Sequence, residues 1–278
     1  MPRILVPVDF SETAQNALVY AFRVAEAIDA DILMYHVYNP ASLETQSTPI
    51  WMPESMQTGR KTLEQRLENE RLLAVEKTGL KDLSCKEIVR AGFMVEATIE
   101  LARENTPDMI IMGTKGAKNF KAIFSGSNTS KIIAELNVPV FAIPDGTEYR
   151  EIEKIAYATD LKPGDNKALD KLLNFAGWFN AEIHTFHVCN KDEARCKERL
   201  NKLEKRFSDL AADHFIFFQT IKGRNVIESM NRYINDNGMD LLAMLTQKRT
   251  FLERIFGRSS HTRKMAFNCK VPLLAYHT

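Results

Sequence analysis

The chain is short of cysteine, nearly without net charge, and free of long apolar runs. Its four cysteines, Cys85, Cys189, Cys196 and Cys269, are scattered without a CxxC pair. A chain of 278 residues buries a core without disulfides, so free thiols in a reducing compartment are expected. The formal net charge of +1 gives no global pull towards nucleic acid or acidic membranes, so any anion site must be local. No run of about 18 apolar residues is present, and no membrane span is expected. The opening MPRILVPVDFSETA is interrupted by Asp9 and Glu12, and no small-residue cleavage site follows. It does not read as a signal peptide, and a cytoplasmic location is expected.

What the chain does contain is an internal repeat. Laying residue 1 onwards over residue 152 onwards matches Asp9 with Asp160, Ala17 with Ala168, Leu18 with Leu169, Ala25 with Ala176 and Ala30 with Ala181. Ile32, His36 and Val37 fall on Ile183, His187 and Val188. Farther on, Gly92 pairs with Gly223, DMIIM from Asp108 with DLLAM from Asp240, and VPVFAIP from Val138 with VPLLAYH from Val271. The order is kept throughout, and the register shortens because the first copy carries an extra segment, Asn39 to about Gln57. Two homologous domains follow, 1–146 and 150–278, joined near DGTEYRE.

Each copy alternates strands and helices. ILVPV is a short continuous apolar run, as expected of a strand buried on both faces. Ser11 is placed to cap the next helix, with Glu12 in its first turn. Ala14, Ala17, Leu18, Ala21, Val24, Ala25 and Ile28 then recur at helical spacing. DILMYHV, CKEIV, MIIM and VPVFAI are further strands. A charged helix is expected from about Lys61, a third helix over Val95–Asn105, and another from Ser127. The second copy offers KIAYA, EIHTFHV, FIFFQT, LLAML and VPLLAY. This alternation predicts an α/β fold: two tandem open parallel sheets with helices on both faces.

Ligands of open α/β sheets bind beyond the carboxyl ends of the strands. The segment MGTKGAKNFKAIFSGSNTSK leaves the fourth strand there, carrying Gly113, Gly116 and Gly126–Ser127. Its glycines allow tight turns or bring backbone N–H groups close to an anion. The helix start after Gly126 favours a phosphate, and Lys115, Lys118 and Lys121 add local positive charge. Turn making alone accounts for the glycines equally well. The spacing is neither a P-loop nor an early GxGxxG. Asp9, at the end of the first strand, is either an acceptor for a ribose hydroxyl or adenine amino group, or a helix-start residue.

The combination of PVD at Pro7–Asp9, G-x2-G-x9-G-S at Gly113, Gly116, Gly126 and Ser127, and a C-terminal VPV resembles the universal stress protein family in a tandem two-domain form. The resemblance covers essentially the whole chain, once per half. It implies a five-stranded parallel α/β sheet in each domain, with ATP as cofactor, with or without Mg²⁺. By it, Asp9 and the Val37 backbone hold the adenosine beside Pro7, while Val8 and Met112 line the base pocket. Gly113, Lys115, Gly116, Gly126, Ser127 and Asn128 surround the phosphates. Pairing of domains through the last strand is also implied, here within one chain, VPVFAI against VPLLAY, with a homodimer left open.

In the second copy Leu245 and Lys248 replace Gly113 and Gly116, and no Gly-Ser pair falls where Gly126–Ser127 does. This half is not expected to bind ATP in the family manner. Its basic loop, from Lys248 to Lys264, reads as a solvated surface or as a site for another anion or an acidic partner. His184, His187 and Cys189 share one strand, but alternation sends His184 to the opposite face, which argues against a metal site. His36 and His187 read as satisfied, partly buried histidines. No catalytic base or triad is evident. Three readings follow: an ATP-binding stress-response sensor or regulator with at most slow hydrolysis, an interaction scaffold that binds no nucleotide, and an adenylating or ATP-hydrolysing enzyme.

Overall fold

The structure is a computed structural model, and it describes residues 1–39, 53–114, 128–214, 216–246 and 271–277. Lys115, Gly116, Gly126 and Ser127 lie outside the described residues, as do Lys118, Lys121, Lys248 and the rest of the second basic loop.

The first half runs β1 (Arg3–Pro7), α1 (Glu12–Ile28), β2 (Asp31–Tyr38), α2 (Pro53–Thr78), β3 (Cys85–Ala91), α3 (Met94–Asn105), β4 (Met109–Thr114), α4 (Asn128–Glu135) and β5 (Val140–Pro144). The second runs β6 (Lys154–Ala158), α5 (Asp165–Phe179), β7 (Glu182–Cys189), α6 (Glu193–His214), β8 (Ile216–Lys222), α7 (Val226–Asp236), β9 (Leu241–Thr246) and β10 (Leu273–His277). Helix α2 begins well before the expected Lys61. Pro53 occupies its first position, where a fixed φ and a missing N–H cost nothing, so this proline is a helix start.

Among the described residues the strands form one sheet in the order β3-β2-β1-β4-β5-β10-β9-β6-β7-β8. Every neighbouring pair within a half is parallel. The halves join where β5 meets β10 in antiparallel register, Ala142 opposite Leu273 and Phe141 opposite Leu274. The segments VPVFAI and VPLLAY thus pair inside one chain.

Strand alternation divides the core. Ile4 and Val6 join α1, α2, α5 and α6 in one apolar cluster on one face. Leu5 points to the opposite cluster, with Leu101 of α3 and Ile132 and Ile133 of α4. Helix α7 covers the second half on that side through Ile227, Met230 and Ile234. Ser11 caps α1 by accepting from the Ala14 N–H at 3.2 Å. Asp29 and Asn180 end α1 and α5 at matched places, each in the left-handed region with φ 52°. Both are residue types that tolerate that conformation.

The expectation of four free thiols is corrected. Cys189 and Cys196 are joined by a disulfide, with Cα atoms 6.1 Å apart. The short turn from the end of β7 into the first turn of α6 brings them together, a proximity that the scattered spacing conceals. Cys85 remains a free thiol, and burial pushes it up to about 12.

Candidate functional site

In the first half the chain winds from β1 out to β2 and β3, then returns to β4 on the other flank of β1. The strand order therefore reverses between β1 and β4, the place where open α/β sheets form a ligand crevice. The local pairing favours an opening there. β1 and β4 pair at Ile4–Met109 and Leu5–Ile110, and the ladder runs no farther. The second half differs: β6 and β9 stay paired from Ile155–Leu241 through Ala158–Met244.

Proline accounts for this contrast. The Asp108 N–H bonds the Arg3 carbonyl at 2.9 Å and the Val8 N–H bonds the Tyr35 carbonyl at 2.8 Å. Odd-numbered backbone groups of β1 thus face β4, and even-numbered ones face β2. Pro7 stands where a donor towards β4 would be needed, and it has no N–H. Its counterpart in the repeat is Ala158, which supplies one.

Around this switch point lie Val8, buried at the end of β1, Met112, buried in β4, and Val37, half-buried near the end of β2. Asp9 is exposed, and its carboxylate accepts from the Ser11 N–H at 3.1 Å and from the Ser11 hydroxyl. Asp9 therefore orders the turn into α1. Asn128, exposed, is the first residue of α4. The structure brings Pro7, Val8, Asp9, Val37, Met112 and Gly113 to the carboxyl ends of three adjacent strands, β2, β1 and β4.

Gly113 has a packing role that spacing does not reveal. A Cβ there would lie 2.5 Å from the Thr13 carbonyl oxygen, so the bare strand end lets the first turn of α1 rest on β4. In the second half Leu245 fills the matching place and is buried, while the counterpart of Thr13 is Gly164. Helix α5 starts at Asp165, after that glycine, whereas α1 already includes Thr13. The missing side chain has moved from the strand to the helix start.

Two features were not foreseen. Phe10 has φ 61° and Leu161, its counterpart, φ 58°. Positive φ is costly for bulky residues and persists only where the surroundings enforce it. Phe10 packs against His36 with ring centroids 4.2 Å apart and the rings tilted by 40°, and the Arg66 guanidinium lies 4.0 Å above the Phe10 ring. Arg199 of α6 donates to the Leu161 carbonyl. Each arginine directly precedes a buried leucine, Leu67 or Leu200, and that repeated Arg-Leu pair was a readable signal.

The matched histidines are held alike. The His36 Nδ1–H donates to the Val8 carbonyl at 2.7 Å and the His187 Nδ1–H to the Thr159 carbonyl at 2.8 Å. His184 pairs with Glu182 at 3.0 Å and stacks on Phe217, on the other side of its strand. Among the described residues no cluster of three metal-ligating side chains occurs.

Burial is the main cause that holds His36 below its ordinary value. Arg66 adds to the shift, against the Val8 bond and Asp9. A histidine with a depressed folded pKa contributes stability above its unfolded value of about 6.5, and loses it as the pH falls through the folded value. Urea midpoints should therefore decline on acidification below about pH 6.5, and His36→Gln should flatten part of that slope.

In the second half the crevice-side positions are polar and closed. Asp165, 1% exposed, accepts from the Tyr157 hydroxyl at 2.7 Å and the Lys162 N–H at 2.6 Å. Burial raises its pKa, against those hydrogen bonds. The first half has Val6 and Ala14 at the places of Tyr157 and Asp165. Asp160 is engaged by the Lys162 ammonium.

Two parallel α/β units fused edge to edge, one with a β1–β4 ladder that ends after two pairs, define the structural class. The profile of the universal stress protein family matches residues 1–144 and again residues 151–277. The chain belongs to that family. It is 30% identical over 153 residues to universal stress protein MJ0577 of Methanocaldococcus jannaschii, covering 51% of this chain and 93% of that one. A universal stress protein of Thermus aquaticus is 28% identical over 141 residues, covering 50% and 96%. The crystal structure of a universal stress protein from Archaeoglobus fulgidus superposes with a TM-score of 0.70 at 19% identity, over 99% of this chain and 96% of that one, a likeness of fold.

Proposed function

We propose that this member of the universal stress protein family binds ATP in the crevice between β1 and β4 and acts as a nucleotide-responsive regulator. The second half serves as its scaffold. The observation that carries this reading is the ladder that stops at Leu5–Ile110 in one half and runs on to Ala158–Met244 in the other.

The residues at the opening suit a nucleoside. Val8 and Met112 offer apolar surface to a base, and the Asp9 carboxylate is an acceptor for ribose hydroxyls or the adenine amino group. The Val37 backbone lies within the same edge. The triphosphate would run towards Gly113, Lys115, Gly116, Gly126, Ser127 and Asn128, where bare backbone and the start of α4 favour negative charge. Mg²⁺ would be carried on the phosphates. No group among the described residues is placed as a catalytic base, so a binding and signalling role accounts for the site better than turnover.

Titration calorimetry of the full chain with ATP should give one site. Gly126→Val should abolish it. Pro7→Ala, which restores a donor towards β4, should weaken it about tenfold, or about 1.4 kcal/mol. No saturable heat in the folded protein would leave the scaffold role. Two equivalent sites would overturn the assignment of the halves.

A further inference from the structure

The second half holds a thiol pair that the nucleotide reading does not use. Cys189 ends β7 and is 3% exposed; Cys196 is half-buried in the first turn of α6. Their surroundings differ in a way that assigns roles. Asp192 caps α6, accepting from the Arg195 N–H at 3.0 Å, so Cys196 lies within the positive end of the helix dipole. Arg195, Lys197 and Arg199 flank it, interleaved with Glu193 and Glu198. A partly exposed thiol at a helix start is the one an outside disulfide can reach, and its thiolate is the form that attacks. Cys189 is shielded and can react only with a neighbour. Cys85 provides an internal contrast, since burial holds that thiol protonated. In the first half the places that match Cys196 and Cys189 hold Leu63, in the interior of α2, and Tyr38, at the end of β2, so the pair belongs to the second half alone.

The bridge closes a loop with a sequence separation of only 7. A short loop restricts the unfolded chain little, so such a bond contributes less to stability than one spanning a domain. A fold with an extensive core does not depend on it.

We propose that Cys196 and Cys189 form a thiol–disulfide exchange site whose substrate is a low-molecular-weight disulfide of the oxidised glutathione type. The Cys196 thiolate attacks one substrate sulfur, forming a mixed disulfide and releasing one thiol. Cys189 gives its proton to solvent and attacks the Cys196 sulfur, displacing the second thiol. Two protein thiols are oxidised to one disulfide, and one small disulfide is reduced to two thiols. Closure fastens the first turn of α6 to the end of β7, one turn before Arg199, which holds the Leu161 carbonyl. The site thus ties the redox state of the surroundings to the segment after Asp160.

The test uses the full chain in glutathione buffers of graded oxidised-to-reduced ratio, with acid quenching, alkylation and peptide mass spectrometry. The expected result is reversible loss of two alkylatable thiols, with one cross-link joining the Cys189 and Cys196 peptides and Cys85 left reduced. Cys189→Ser should trap Cys196 as the glutathione mixed disulfide, whereas Cys196→Ser should leave Cys189 unmodified. Circular dichroism checks that each variant is folded, and the unmutated chain gives the exchange result independently. A bridge that never forms, a bridge that persists in the most reducing buffer, or trapping at Cys189 in place of Cys196 would each overturn the proposal.

Discussion

Gly113→Leu is expected to abolish ATP binding and to destabilise the first half by about 3 kcal/mol, the upper part of the usual range for overpacking. The side chain would enter space held by the Thr13 main chain, whose carbonyl oxygen lies 2.5 Å from the Cβ position. Because the obstacle is backbone, trimming Thr13 to alanine will not relieve it; the start of α1 must unwind, as the later start of α5 does. Asp9 and Ser11, which order the turn into α1, would shift with it. The reciprocal change, Leu245→Gly, should cost about 3 kcal/mol through the cavity it leaves, and should create no nucleotide site. The β6–β9 ladder would remain closed around Ala158. Urea midpoints and ATP calorimetry on both variants check these outcomes. Loss of binding with unchanged stability in Gly113→Leu would mean that the glycine serves the ligand and not the helix.

Phe141→Ala should be the most damaging single change at the junction, costing about 4 kcal/mol. Phe141 is fully buried in β5 and lies edge-on to Tyr20 of α1 at 5.5 Å and to Phe175 of α5 at 6.1 Å. It therefore touches helices from both halves as well as facing β10 across the antiparallel seam. Edge-to-face pairs add about 1 kcal/mol each beyond burial. Both halves should lose stability together. Trp178 fluorescence, followed in a Trp51→Phe background, and far-ultraviolet circular dichroism should give one coincident, lowered midpoint. Separate transitions would show that the halves unfold independently.

The elements were legible where a local pattern dictates them. The apolar run ILVPV supplies all of β1 but its first residue, and Ser11 caps α1, because burial and capping act over a few residues. The repeat reappears as matched hydrogen bonds. Gly92 and Gly223 donate to Tyr38 and Cys189, and Asp108 and Asp240 accept from the Arg3 and Lys154 N–H groups. The start of α2 was missed because Pro53, which follows a second proline, Pro49, by four residues, suits a loop as well as a first helical position. The candidate crevice was legible only in part. Pro7 was visible, but its consequence depends on which side of β1 its missing donor faces, and that requires both flanking strands. The reason for Gly113 could not be read from its own segment, since the Thr13 carbonyl comes from far along the chain. The left-handed turn at Phe10 and the arginine above it have the same origin, because contacts from α2 and β2 enforce them.

The antiparallel seam between β5 and β10 has a consequence for how the two crevices can differ. When identical subunits meet edge to edge, every substitution appears on both sides, and a change that closes one crevice closes its mate. Tethering the halves in one polypeptide removes that constraint. Ala158 and Leu245 are free to alter one unit while Pro7 and Gly113 persist in the other, so asymmetry can be inherited with a partner always at hand.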